Sequence, residues 1–167
     1  TRVDAITLNS PLLLKMVKHD YPFKAKIGVF ACVNSVRRAQ FWEQEGADSI
    51  CLEDITCNRD FDLLRALKAS VKCDLQIFVN NLCFSGCFMS PTHMDMAAHA
   101  SQDGCGPRGY YLDYCSIRCM TMRMKNPVDF IRASWIRPED LVHYEALGYD
   151  NFKLADRSSL SATLASR

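Results

Sequence analysis

Two spacing patterns of apolar residues take turns along this chain. Short, nearly continuous apolar runs are followed by stretches with apolar residues three and four apart. Val3 to Leu8 reads as a strand that ends at Asn9-Ser10-Pro11. Ser10 then caps a helix with Pro11 in its first turn, and Leu12 to Lys18 continue it until Tyr21-Pro22. Lys26 to Val33 reads as a second strand, Ser35 caps a helix through Glu45, and Gly46 stops it. Asp48 to Leu52 is a third strand, followed by a loop to Asn58. Asp60 to Ala69 is an amphipathic helix with Phe61, Leu64 and Leu67 on one face, and Leu75 to Val79 is the fourth strand. Residues 81–126 break the rhythm: one short helix is expected from Pro91 to Ala100, and Gly104-Cys105-Gly106-Pro107 is a turn. Glu139 to Leu147 is again helical, Asn151 to Ala155 is a fifth strand, and Ser158 to Ser166 begins a last helix.

Apolar strands alternating with helices imply an α/β fold with parallel strands covered by helices. Five such units make either an open doubly wound sheet or the later part of an eight-stranded barrel, which takes about 250 residues when complete. No Gly-x-Gly-x-x-Gly follows any strand, so dinucleotide binding has no support. The expected organisation is one domain over residues 1–167 with a cysteine-rich insertion at about residues 81–126.

Composition narrows this only in part. With 49% hydrophobic and 23% charged residues the chain has the make-up of an ordinary globular protein, and a net charge of +1 gives no general nucleic-acid-binding surface. No apolar run is long enough to span a bilayer, and no export signal opens the chain. Nine cysteines, an odd number, point to a reducing cytoplasm with free or metal-bound thiols.

Two Cys-x-x-x-Cys pairs stand out. Cys83 and Cys87 directly follow the fourth strand, and Cys115 and Cys119 lie further on. Four thiolates that converge make a closed site for a soft or borderline metal. Cys105, between two glycines, is a reserve ligand, while Cys32, Cys51 and Cys73 fall in or beside strands and read as core thiols. The opposing reading is that every thiol merely fills space. Spacing does not separate zinc from an iron–sulfur cluster.

An ordered set of motifs accompanies the cysteines. It runs Asn80-x-x-Cys83-x-x-x-Cys87-x5-His93, then Tyr114-Cys115, then Ile136-Arg137-Pro138-Glu139-Asp140-Leu141, then Phe152-Lys153-Leu154-Ala155-Asp156-Arg157. With Val3-Asp4-Ala5-Ile6 and Glu45-Gly46-Ala47-Asp48 upstream, this set resembles the peptidase U32 family of collagenase-like peptidases over nearly the whole chain. The resemblance implies a (β/α)8 TIM-like barrel, present here as about its last five strand/helix units, with the cysteine loop after the seventh strand. It further implies a 4Fe–4S cluster on Cys83, Cys87 and Cys115, with Cys119 as the fourth ligand by spacing. Branches of the family resemble enzymes that hydroxylate a nucleobase in RNA or a small aromatic quinone precursor without molecular oxygen. Two departures are local: Phe88 and Met89-Ser90 replace the Pro and Arg common after the second cysteine, and Asp156-Arg157 replaces Gly-Arg.

Further chemistry is expected where strands end. His93, Glu53, Lys153 and Arg157 are candidate catalytic residues. Asn80, Arg137 and Arg157 are candidate substrate-binding residues, and a carboxylate from Glu53 or Asp54 is the expected partner of Lys153. Each has a structural counter-reading, as an ion pair or a hydrogen-bonded framework group. Arg118, Arg123, Lys125, Arg132 and Arg137, with Tyr110, Tyr111 and Trp135 nearby, form a basic stretch suited to RNA or to solvent. The expected activity is cluster-dependent hydroxylation of a nucleobase or small aromatic. The rivals are a U32-type peptidase and a non-catalytic cluster-binding subunit whose barrel a second protein chain completes, as a heterodimer.

Overall fold

In the computed structural model of the chain, residues 3–100 and 114–155 are described. Cys105, Tyr110, Tyr111, Arg157 and the expected helix from Ser158 lie outside the described residues.

The apolar runs form five strands: β1 (Ala5–Leu8), β2 (Lys24–Ile27), β3 (Ser49–Cys51), β4 (Asp74–Phe78) and β5 (Asn151–Lys153). All neighbours pair in parallel, in the order β1-β2-β3-β4-β5. The links between the first four strands are α1 (Pro11–Asp20), then α2 (Val36–Gln44), then α3 (Asp54–Cys57) with α4 (Phe61–Ser70). The long link from β4 to β5 holds α5 (Ser90–Ala100), α6 (Tyr114–Lys125), α7 (Val128–Ile131) and α8 (Leu141–Glu145).

Strands that are neighbours in both sequence and sheet, joined by right-handed crossovers, carry their helices on one face. A doubly wound sheet reverses its strand order partway, so the observed order sets that option aside. The described residues make an open five-stranded parallel sheet, and closure into an eight-stranded barrel is no part of it.

The register sorts the two faces. Leu8, Ala25, Ile27, Ile50, Leu75 and Ile77 alternate onto the helix side and join one core with Leu14, Leu64, Leu67 and Tyr149. The other side carries one row in register, Thr7, Lys26, Ser49 and Asp74, and beside it the pair Gln76 and Asn151. There Ser49 Oγ donates to Asp74 Oδ2 (3.2 Å), Asn151 Nδ2 donates to the same oxygen, and Gln76 Nε2 donates to Asn151 Oδ1 (2.5 Å). Side chains of period two therefore separate an apolar face from a hydrogen-bonded polar one.

Helix starts follow local chemistry. Ser10, Ser35 and Asp60 each accept from a backbone N–H two or three positions into the helix they cap. Four expectations change. The expected strand from Lys26 to Val33 breaks after Ile27. A Cβ on Gly28 would lie 2.6 Å from Asn9 Oδ1 and 3.2 Å from the Thr7 methyl, so a larger residue would have to push the Asn9 side chain aside. A single 3-10 turn follows, and Cys32 ends it in the left-handed region at φ 50°. The expected loop after β3 contains α3, because Glu53 caps it. The insertion runs past residue 126, and it holds α6 and α7 beyond the one helix expected. The helix expected from Glu139 to Leu147 is a 3-10 turn (Pro138–Asp140) followed by the shorter α8.

The insertion is pinned where it leaves and rejoins the sheet. Ile136 N–H donates to Val79 O (2.8 Å), and Ser134 N–H donates to Cys83 O (2.9 Å). Asn58 Nδ2 reaches both Phe78 O (2.8 Å) and Ser134 O (2.9 Å) from inside the body. Arg59 spends its donors on the carbonyls of Ile131, Ala133 and Trp135.

Candidate metal centre

The chain leaves β4 through Val79 and turns sharply. Cys83 N–H donates to Asn81 Oδ1 (3.2 Å), Cys87 N–H to Phe84 O (3.2 Å), and Ser90 N–H to Cys87 O (3.1 Å). Gly86, at φ +70°, lets its own N–H turn to Ile55 O (3.1 Å), which ties the loop to α3. The first cysteine pair is thus set by tight turns on the strand end. The second is set differently. Cys115 and Cys119 stand four apart on α6, the spacing of neighbours on one helix face. The absence of Gly and Pro from Tyr114 to Lys125, with Pro127 just beyond, was the signal available for that helix.

The two segments meet. Cys83, Cys87, Cys115 and Cys119 all line one cavity of about 330 Å³. Phe84, Phe88, Met89 and Met122 make most of the remaining wall apolar, and Ser90, His93 and Arg118 complete it. All four cysteines are free thiols, half-buried. Burial pushes the Cys83 thiol above its usual range, and the charges of Asp54, Cys87 and Cys119 push it the same way. Without a cation, the pocket therefore favours neutral sulfur. A second cavity of about 230 Å³ backs onto the first and shares Cys83, His93 and Cys119 with it. Asn81, Leu82, Met120 and Arg123 form its other walls.

Among the described residues, no three His, Cys, Asp or Glu side chains converge on the position of a single metal ion. Tetrahedral zinc draws its sulfurs to within about 3.8 Å of one another, given zinc–sulfur bonds of about 2.3 Å. Four thiols lining one largely apolar cavity are a donor set of the type that thiolate-held centres use, zinc and iron–sulfur alike. Two buried polar atoms at the same place have no hydrogen-bond partner: the hydroxyl of Ser90 and Nε of Arg123. Such groups are rare in folded proteins and call for an explanation, an ion among them.

The other sequence candidates are spoken for in different ways. His93 lines both cavities. Glu53 does not face a substrate: its carboxylate accepts from the N–H groups of Ile55 and Thr56 and from the Thr56 hydroxyl, capping α3. Asn80 likewise closes on the backbone of Ala155, donating to its oxygen (2.8 Å) and accepting from its nitrogen (3.0 Å). Arg137 forms a two-bond pair with Asp140 (2.7 and 2.8 Å). Lys153 stands 5.6 Å from the centroid of the Phe78 ring, which takes the place of the expected Glu53 or Asp54 carboxylate. The rigid partner is the local one in each case, because capping groups, backbone and neighbouring acids are within reach without ordering a distant loop.

Asp54 was not singled out by sequence beyond its expected pairing with Lys153. It is 1% exposed, both its oxygens lack a hydrogen-bond partner, and burial raises its pKa from 3.8 to about 6. Asn81 lies near enough to oppose that rise. No periodicity marks such a residue, since an acid after a strand usually reads as a helix cap.

No protein-family model matches the chain. The chain is 32% identical over 156 residues to an uncharacterized protease of Methanocaldococcus jannaschii, MJ1657, a match covering 93% of this chain and 45% of that protein. Its fold is similar to the solved structure of the U32 peptidase Mk0906, with a TM-score of 0.63 at 20% identity, over 95% of this chain and 57% of that one. The chain thus spans about half the length of the relatives it matches.

Proposed function

We propose that the chain is a relative of the U32 peptidases, a reading its likeness to both comparison proteins supports, and that it holds an iron–sulfur cluster and modifies, by hydroxylation, a nucleobase in RNA or a small aromatic molecule. The observation that carries this reading is the meeting of Cys83, Cys87, Cys115 and Cys119 around one cavity. These four residues are the ligands. When bound, the cluster supplies redox or Lewis-acid chemistry at the rim of the sheet.

The chain's own residues do the rest. Phe88, 88% exposed beside the cavity, offers a flat face on which an aromatic ring stacks. Arg118, exposed at the same rim, meets a phosphate or carboxylate of the substrate. His93, on the wall shared by both cavities, holds or passes a proton at a ring nitrogen. Phe84, Met89 and Met122 keep water from the sulfurs. The sheet ends at β1 and β5, and strands from a further segment or a second chain would add there.

A peptidase reading is favoured by the names of both relatives. A peptidase that attacked through Cys83 would need its thiolate, whereas burial and Asp54 hold that thiol toward its neutral form. The test is anaerobic purification followed by metal analysis and two assays. We expect about four iron atoms per chain, loss of iron in Cys119→Ser, and hydroxylated product from RNA or a small aromatic when a hydroxylated organic donor is supplied that gives up its oxygen atom and takes the two electrons. Equimolar zinc without iron would overturn the cofactor, and peptide cleavage without hydroxylation would favour the peptidase.

A further inference from the structure

Arg123 is a buried positive charge with no carboxylate to answer it. It is 7% exposed. Its Nη2 donates to the backbone carbonyl of Leu82, its guanidinium lies 4.8 Å from the Phe84 ring centroid and 5.3 Å from that of Phe130, and its Nε is buried without a partner. Among the described residues, no Asp or Glu pairs with it. A guanidinium does not shed its proton, so burial without an anion is strongly unfavourable. Two aromatic faces offset part of that cost. They do not replace a counter-ion.

Its position says which anion is missing. Leu82 and Phe84, which it touches, are the residues on either side of Cys83. On α6 it stands four residues, one turn, beyond Cys119. It lines the second cavity together with Cys83, His93 and Cys119. α6 itself contains no acidic residue. Four thiolates carry more negative charge than an iron–sulfide core neutralises, so a cluster held by them is an anion overall.

We propose that Arg123 is the counter-charge of the cysteine centre. It is a positioning residue that fastens the Cys83 loop to α6 and offsets the negative charge of the bound cluster. This rests on the cluster reading above. Reduction adds one more negative charge, so a cation held nearby favours the reduced form. The effect is large where rings exclude water and the local dielectric is low.

The experiment uses the whole chain, loaded anaerobically. Iron per chain is measured first, then the midpoint potential by redox titration followed by electron paramagnetic resonance. Wild type without iron would sink the cluster reading itself and is seen before any variant is compared. Arg123→Gln should shift the reduction equilibrium about tenfold toward the oxidised form, a potential lower by about 59 mV for one electron. Arg123→Lys keeps the charge but loses the fork, so its potential should stay near wild type while it surrenders iron faster to a chelator. Full iron with an unchanged potential in Arg123→Gln would overturn the proposal. If Arg123→Gln does not fold, Arg123→Met decides: it fills the slot between the Phe84 and Phe130 rings without the charge, and its potential should fall by a similar amount. No shift there would also overturn it. Inorganic phosphate titrated into the iron-free chain tests the other possible anion. Saturable binding that Arg123→Gln abolishes would assign the guanidinium to an oxyanion instead.

Discussion

The sheet with its helices and the insertion that carries the cysteines are held together by different forces. In the body, Ile50, Leu64, Leu67, Leu75 and Ile77 are 0% exposed and belong to one core. In the insertion, Ile117, Met120, Met124 and Ile131 are 49–78% exposed, and α7 buries nothing. The body is stabilised by removal of apolar surface from water, worth roughly 1.5–3 kcal/mol per fully buried large side chain. The insertion is instead fastened by polar pins from Asn58, Arg59 and Arg123. A region of this kind gains much of its order from whatever binds it, because ligand binding adds directly to the stability of the bound fold.

The largest expected effect tests the body. Leu64→Ala leaves a cavity where no atom was exposed, and should lower stability by about 3–5 kcal/mol in denaturant unfolding. A loss as small as that of a surface substitution would show that the core is not where the stability lies.

The next lies at the junction of the two regions. In the metal-free chain the folded state holds a proton on Asp54 that the unfolded chain gives up, since burial raises its pKa from 3.8 to about 6. Stability from this group is therefore highest below about pH 4 and falls as pH rises to about 6, by on the order of 3 kcal/mol. Asp54→Asn should flatten that slope and raise stability at neutral pH. Denaturation midpoints across the range check both, and an unchanged slope in the variant would exonerate Asp54.

Asn58→Ala cuts a pin without touching the cysteines. Two buried carbonyls, of Phe78 and Ser134, lose their donor, and stability should drop by about 2 kcal/mol. Hydrogen exchange should quicken at Ser134 and Ile136 more than in β2 or β3. Uniform change over the whole chain would mean that the two regions unfold as one. The smallest effect belongs to the insertion's surface. Met124 is 78% exposed, so Met124→Gln should move stability by no more than about 0.5 kcal/mol.

Much of the body was readable along the chain because its signals are local. Ser10, Ser35 and Asp60 announce helices, Gly46 stops one at φ +102°, and the apolar runs mark strands. The expected strand to Val33 stops at Ile27, where the chain enters a 3-10 turn that Cys32 closes in the left-handed region, and an unbroken apolar run does not signal that turn. α6 has no apolar stripe to announce it: Ile117, Met120, Met122 and Met124 are all exposed. Glu53 and Asn80 drew attention as polar residues at strand ends, yet each spends its side chain on backbone groups.

Sequence alone determined the parallel α/β pattern, the helix caps and the identity of the thiols, since each depends on residues within a few positions of one another. Only tertiary structure decided the strand order, the polar face hydrogen-bonded across β3, β4 and β5, and the meeting of a strand-end turn with a helix face around one cavity. It alone also left a guanidinium and a carboxylate buried beside that cavity's cysteines. Burial and counter-charge depend on atoms brought together from distant parts of the chain, and no spacing rule along a sequence encodes that distance.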